Sequence, residues 1–208
     1  MAHTLRDLLI QRAARLQERP ALTAPGWGTL SYAQLRNRVE GVALGLLAPS
    51  GDPPPTLFSA TGTAWDWTAE LAAAAAGLGW DRAGWIVPME ILGGPRFNAE
   101  EGRGPYHRRE QRVEPATPFH AGLAQGEVLR RLARLNPRLG WDHETTAVLP
   151  LDRLGDPALR AALWSALYGG IHAVLEATTP APRGGLLGRF RPAARPAWDP
   201  EAFAGFWD

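Results

Sequence analysis

TLRDLLIQRAARLQERPALTAPGWGTLSYAQLRNRVEGVALGLL, residues 4–47, carries the pattern from which the rest of the chain is placed. Thr4 is a good helix N-cap with Asp7 three residues on, and Leu5, Leu8, Leu9, Ala13 and Leu16 recur on one helical face until Pro20 stops the run. The spacing predicts an amphipathic helix. Two short extended runs, 21–24 and 29–31, flank Pro25-Gly26-Trp27-Gly28, whose glycines can supply the positive φ of a tight turn, so a hairpin should follow. Ser31 and Gln34 form a second capping box, opening a helix with Tyr32, Leu35, Val39, Val42, Ala43 and Leu46 on its apolar face.

Composition narrows the chemistry. With 208 residues there is room for one good-sized domain. A net charge of +1 argues against a strongly electrostatic partner such as a nucleic acid, although every basic side chain apart from histidine is Arg and none is Lys. Without Cys there is no disulfide, thiolate nucleophile or zinc–cysteine site, and without Lys there is no Schiff base. No apolar run approaches the roughly 20 residues that span a bilayer, and residues 1–4 lead into a polar-faced helix, so the expected location is the cytoplasm. Arg in place of Lys and abundant Ala, Gly and Pro suit a GC-rich, thermophilic source.

Beyond residue 47 the pattern is α/β: a parallel-rich sheet flanked by helices. Residues 51–55 read as a linker and 56–59 as a strand; a helix starts at Thr63, carries Asp66 in its third position and the Ala block 72–76, and stops at Gly77. Residues 85–88 read as the next buried strand, after a long connection at 78–83. The segment 91–122, with the charge cluster 107–112, shows little periodicity and is expected to be an irregular surface segment. A helix at 123–135, a strand at 146–149, a helix with Asp156 as N-cap and Pro157 first, and a strand at 171–175 complete a pattern that argues for parallel strands with crossovers. A long Arg/Pro loop, 178–198, separates this from Asp199-Pro200-Glu201-Ala202-Phe203. The organisation expected is a single domain over 1–208, with 1–90 and 123–208 as its ordered parts.

Helix, hairpin ending in Leu30-Ser31-Tyr32, and long helix with Leu35, Arg38, Val39, Ala43 and Leu46 resemble the opening of the adenylate-forming acyl-CoA synthetase superfamily, the AMP-binding acid–thiol ligases. Residues 145–151, 170–175 and 199–203 resemble later strands and the Asp-Pro-Glu helix start of that family. The resemblance implies that a Ser/Thr/Gly-rich phosphate loop should follow 114–119, yet His120-Ala121-Gly122-Leu123 comes instead and leads towards the next helix. It also implies an adenine motif, a hinge and a C-terminal domain with a catalytic Lys, none of which is seen before Asp208. Where the family has Pro-Leu-Phe-His beside the acyl side of the cleft, this chain has Pro150-Leu151-Asp152-Arg153. Asp152, Trp164 and Tyr168 are the candidates to line a remnant of that cleft.

The expectation is therefore a truncated, catalytically silent relative of the ligases, with no catalytic residue, metal or cofactor, that binds a protein partner or a small acyl or aryl ligand. The alternative is half of a split adenylating enzyme completed in trans, and an unrelated activity on the old scaffold stays open. The family's place in fatty acid metabolism is what the resemblance implies for the pathway. His3, His107, His120, His143 and His172 lack metal-ligand spacing, and Ser31, Ser59 and Ser165 lack a nucleophile-elbow pattern. Trp65, Trp67, Trp164 and Trp207 read as core or contact surface. A truncated sheet would leave an edge uncovered, which predicts a homodimer anchored by Phe203, Phe206 and Trp207 or by the Trp-rich third helix.

Overall fold

The computed structural model describes residues 2–47, 55–92, 113–142, 144–177 and 198–208. The linker at 51–54, the charge cluster 107–112, His143 and nearly all of the loop 178–198 lie outside the described residues.

The opening forms as its caps dictate. In α1 (Leu5–Leu16) the Thr4 hydroxyl accepts from the Asp7 amide at 3.0 Å and the Asp7 carboxylate accepts from the Thr4 amide at 3.1 Å, so two orphan donors are satisfied reciprocally. Strands β1 (Pro20–Ala24) and β2 (Gly28–Ser31) pair antiparallel across a turn in which Gly26 and Gly28 take φ of 75° and 66°. Ser31 and Gln34 then cap α2 (Tyr32–Leu47), and every apolar-face residue expected of it is buried except that Leu44, Gly45 and Leu47 are buried as well. β3 (Thr56–Phe58) leads through the N-cap Thr63 into α3 (Ala64–Ala76), which ends at Gly77 in the left-handed region, φ 74°. Nearly all of α3 is buried, because it packs against both α1 and α2 and its alanines let those helices approach closely.

The connection expected at 78–83 contains a strand, β4 (Gly79–Trp80), and β5 (Trp85–Ile86) follows. Both pair in parallel with β3, giving a three-stranded sheet in the order β4-β3-β5. β5 departs from the buried strand expected there: it is an edge, with Trp85 42% and Ile86 70% exposed, and only Val87 beyond it is buried. After the short helix α4 (Met89–Leu92), the described part of the segment expected to be irregular holds β6 (Pro118–His120), which pairs antiparallel with β7 (Leu123–Ala124).

α5 (Gln125–Leu139) starts two residues later than expected and runs past Asn136 and Pro137 to Gly140. β8 (Thr146–Pro150), α6 (Pro157–Gly169) and β9 (His172–Glu176) follow, and β9 lies between β8 and β1, parallel to both. The result is a four-stranded sheet in the order β2-β1-β9-β8 beside the three-stranded one, so the parallel-rich α/β class holds while the strands are divided between sheets. One continuous apolar core joins the helices to both.

The chain closes with a 3₁₀ turn, Pro200–Phe203, capped by Asp199. Phe203, Phe206 and Trp207 are all buried within their own chain: the Trp207 indole donates to the Pro157 carbonyl at 2.9 Å, and Arg131 donates to the Phe206 carbonyl at 2.6 Å. That corrects the expectation of a dimer anchor here. Trp67 is likewise buried, and Trp65 packs against Trp27 with ring centroids 4.5 Å apart, so the third helix spends its indoles internally too.

Candidate functional site

The three residues expected around a remnant cleft do not converge. Asp152 is exposed in the 3₁₀ turn Leu151–Arg153 after β8. Trp164 is 0% exposed at the centre of α6, edge-on to Trp67 and Phe119 at 5.0 and 5.7 Å between centroids, so it belongs to the core and lines no cleft. Tyr168, one helical turn further on, borders a surface groove.

Around Trp164 the structure gathers a polar cluster. α3 supplies Glu70, 2% exposed, and α6 supplies Arg160, whose Nε and one terminal nitrogen each donate to the Glu70 carboxylate at 2.7 Å. The Trp164 indole adds a third donor at 2.8 Å. The other terminal nitrogen of Arg160 lies 3.2 Å from His120 Nε2, and since a guanidinium can only donate, that imidazole nitrogen accepts. His120 Nδ1 must then carry the proton and donate to the Trp80 carbonyl, 2.5 Å away. Burial first, and the Arg160 charge second, hold the His120 pKa below its ordinary value, consistent with a neutral ring. Trp207 closes the cluster, 4.8 Å from both the His120 ring and the Arg160 guanidinium.

A cavity of about 250 Å³ adjoins this cluster, walled by Ser59, Asp66, Glu70, Trp80, His120 and Arg160 among others. Asp66 does not offer its carboxylate to the cavity. It accepts from the hydroxyls of Ser59 and Thr61 and from the amides of Thr61 and Gly62, all at 2.7–2.8 Å, and so ties the loop after β3 to the start of α3.

A larger cavity of about 670 Å³ lies between α1 and α5, and its lining shares no residue with the first. Leu8, Ala124, Leu129 and Ala133 form apolar walls, Arg12 and Arg15 enter from α1, Arg130 enters from α5, and Tyr168 sits at the side. Arg12 donates to the Tyr168 carbonyl and lies 5.8 Å from that ring, while its Nε is buried with no partner among the described residues. Burial lowers its pKa.

Among the described residues no group of His, Asp and Glu side chains could hold a metal ion, and no helix is long and apolar enough to cross a membrane.

No protein-family model matches the chain, and no curated protein matches it. Solved structures do. The N-terminal subdomain of NpsA from Klebsiella oxytoca matches with a TM-score of 0.62 at 14% identity, over 84% of this chain and 54% of that one. A fatty acid AMP ligase from Legionella pneumophila matches with a TM-score of 0.62 at 16% identity, over 84% and 40%. A fatty acyl-adenylate ligase from L. pneumophila, in complex with acyl adenylate and pyrophosphate, gives 0.59 at 15% identity, over 86% and 40%. The fold is that of the N-terminal part of adenylate-forming ligases. The chain spans about half the length, or less, of these solved chains, and identities this low speak for the fold alone.

The resemblance drawn from the opening helix, hairpin and helix is thus borne out for the ligase-type fold. What the sequence missed are most of the residues that build these two cavities; of the three expected, Tyr168 borders one of them. Glu70 and Arg160 stand 90 residues apart, and nothing local to either marks them as a pair. Arg12 and Arg15 could have been singled out as two cations three residues apart on α1, but their meeting with Arg130 is a matter of tertiary packing.

Proposed function

We propose that this chain works by binding a small acyl or aryl ligand and does not adenylate it. The observation that carries the reading is the β6–β7 hairpin. At the place where the resemblance puts a phosphate loop, the strands are joined by Ala121 and Gly122 alone, at φ 49° and 76°, with His120 paired to Leu123. Positive φ at both positions makes this a tight hairpin turn. Two residues cannot wrap a triphosphate, which needs several amides and hydroxyls pointed at it. The groove between α1 and α5 offers a ligand about 670 Å³, within the range of about 300–1,000 Å³ usual for small-molecule sites, and aliphatic walls from Leu8 and Leu129; another cavity of about 670 Å³ lies beside the β6–β7 hairpin, walled by Leu78, Trp80, Phe119 and His120 among others.

The test is calorimetry with ATP, together with carboxylate-dependent pyrophosphate exchange. Neither binding nor exchange is expected, and micromolar ATP binding would overturn the reading. One observation favours a second reading, an adenylating enzyme completed in trans: Trp85, Ile86 and Met89 are exposed on and beside the edge strand β5, where another chain could pair. Exchange activity that appears only when a polypeptide carrying the phosphate loop and lysine is added would establish it.

A further inference from the structure

The groove between α1 and α5 combines two properties that point to one class of ligand. Among the described residues its lining contains three guanidinium groups and no Asp or Glu. Arg130 has a partner, a carboxylate oxygen of Glu127 at 2.6 Å, but that bond lies on the exposed surface of α5. Among the described residues Arg12 has only the Tyr168 carbonyl as a hydrogen-bond acceptor, and its Nε is buried without one. A half-buried cation that lacks an anionic partner is unfavourable, and an anion bound beside it would relieve that cost. Leu8, Leu129 and neighbouring alanines offer the ligand aliphatic surface, with His3, Gln11 and Tyr168 as the other polar side chains of the lining.

We infer that this groove binds a phosphate monoester carried on an apolar body, with the phosphate held by Arg12, Arg15 and Arg130 and the apolar part lying along Leu8 and Leu129. This rests on the reading of the chain as a binding protein and names the ligand class. Three guanidinium groups from two helices suit a phosphate better than a carboxylate. A phosphate monoester carries up to two charges and three acceptor oxygens, enough for more than one guanidinium fork, whereas one fork already satisfies a carboxylate. The same headgroup chemistry occurs in a soluble organophosphate and in an anionic lipid at a membrane surface.

Calorimetry with octyl phosphate, octanoate, octanol and inorganic phosphate tests the assignment on the full chain. Octyl phosphate should bind at least about tenfold more tightly than octanoate or octanol, since its extra charge and third acceptor oxygen can engage more than one guanidinium, whereas octanoate fills one fork and octanol none. Its affinity should fall as salt is raised. Arg15→Gln combined with Arg130→Gln should weaken octyl phosphate binding about tenfold or more, with thermal unfolding unchanged because both side chains are exposed. Arg12→Gln should weaken it further, and its thermal unfolding shows whether the fold survives. Octyl phosphate bound no better than octanoate or octanol, or indifferent to Arg15→Gln and Arg130→Gln, would overturn the phosphate assignment and leave a ligand-binding groove standing. Binding of none of the four would remove both. Flotation with vesicles containing phosphatidic acid, set against phosphatidylcholine alone, separates the sources. Where octyl phosphate binds more tightly than octanoate and octanol, flotation that needs phosphatidic acid assigns the headgroup to a membrane, and no flotation assigns a soluble ligand; either outcome supports the phosphate chemistry.

Discussion

Glu70→Ala should be among the most damaging single changes this chain can suffer. The Glu70 carboxylate takes three donors, two from Arg160 at 2.7 Å and one from the Trp164 indole at 2.8 Å, at a site only 2% exposed. Removing one partner of a buried pair leaves an uncompensated charge and costs about 3–5 kcal/mol. An orphaned indole N–H would add about 1–3 kcal/mol were the terms independent. They share one carboxylate, so a loss of about 4 kcal/mol is the working figure, a large part of the roughly 5–15 kcal/mol that stabilises a domain. The companion change separates charge from packing. In Glu70→Leu combined with Arg160→Met no buried charge is stranded, and with the Trp164 indole left unpaired the double variant should lie within about 1–3 kcal/mol of wild type. Urea denaturation followed by the fluorescence of the buried indoles, extended to Glu70→Leu and Arg160→Met alone, yields all four corners of the cycle. A Glu70→Ala loss below about 1 kcal/mol would mean that water reaches the pair and that the cluster is not the buried unit described.

Three further outcomes are expected. Leu35→Ala should cost about 2–5 kcal/mol in the same assay, because Leu35 is buried on the face of α2 turned to the core; a change under about 0.5 kcal/mol would show that α2 is packed differently. Stability should fall as pH drops. His120, through burial and then the Arg160 charge, and His172, through burial, both have folded pKa values below that of the unfolded chain. The unfolded state therefore binds the extra protons, and stability present above the unfolded value of about 6.5 is lost as pH falls from there towards the folded values. Melting temperatures between neutral and mildly acid pH check this, and a midpoint that rises on acidification would contradict it. Phe206→Ala with Trp207→Ala should lower the melting temperature and leave the mass seen by light scattering unchanged, since both rings are buried inside the chain; a drop in mass without loss of stability would return them to an interface.

The opening of the fold was legible because its determinants are local. Two capping boxes, a Pro-Gly turn and apolar residues at helical spacing fix α1, the hairpin and α2 from within a few residues each, and the hydrogen bonds of Thr4, Asp7, Ser31 and Gln34 are the ones those spacings require. Strand β4 was missed for the opposite reason: two residues carry no period, and Gly79–Trp80 is a strand only because β3 lies beside it. Trp85 and Ile86 look like a buried strand by hydrophobicity, yet strand order puts them at an edge, a fact that no local pattern holds. Gln125 shows how far this goes. It is fully buried at the start of α5, where its carbonyl oxygen accepts from the Leu5 amide and its amide nitrogen donates to the Ala74 carbonyl, so it joins three helices that the sequence keeps at least 51 residues apart.

The contrast between the two polar sites bears on what the chain can do. In the cluster around Glu70 the bonding capacity is spent. The carboxylate is filled by Arg160 and Trp164, both nitrogens of His120 are engaged, and Trp207 covers the ring. For His120 to act as a base it would have to give up the Arg160 donor that holds its Nε2, in surroundings that already disfavour its charged form. Groups tied in this way hold α3, α6, β4 and the C-terminal segment together. The groove at Arg12 and Arg15 is the reverse case, with positive charge, a buried donor without an acceptor among the described residues, and apolar walls beside His3 and Tyr168. Unspent donors beside aliphatic surface equip such a groove to hold an anion, and the proposed binding role rests on that property.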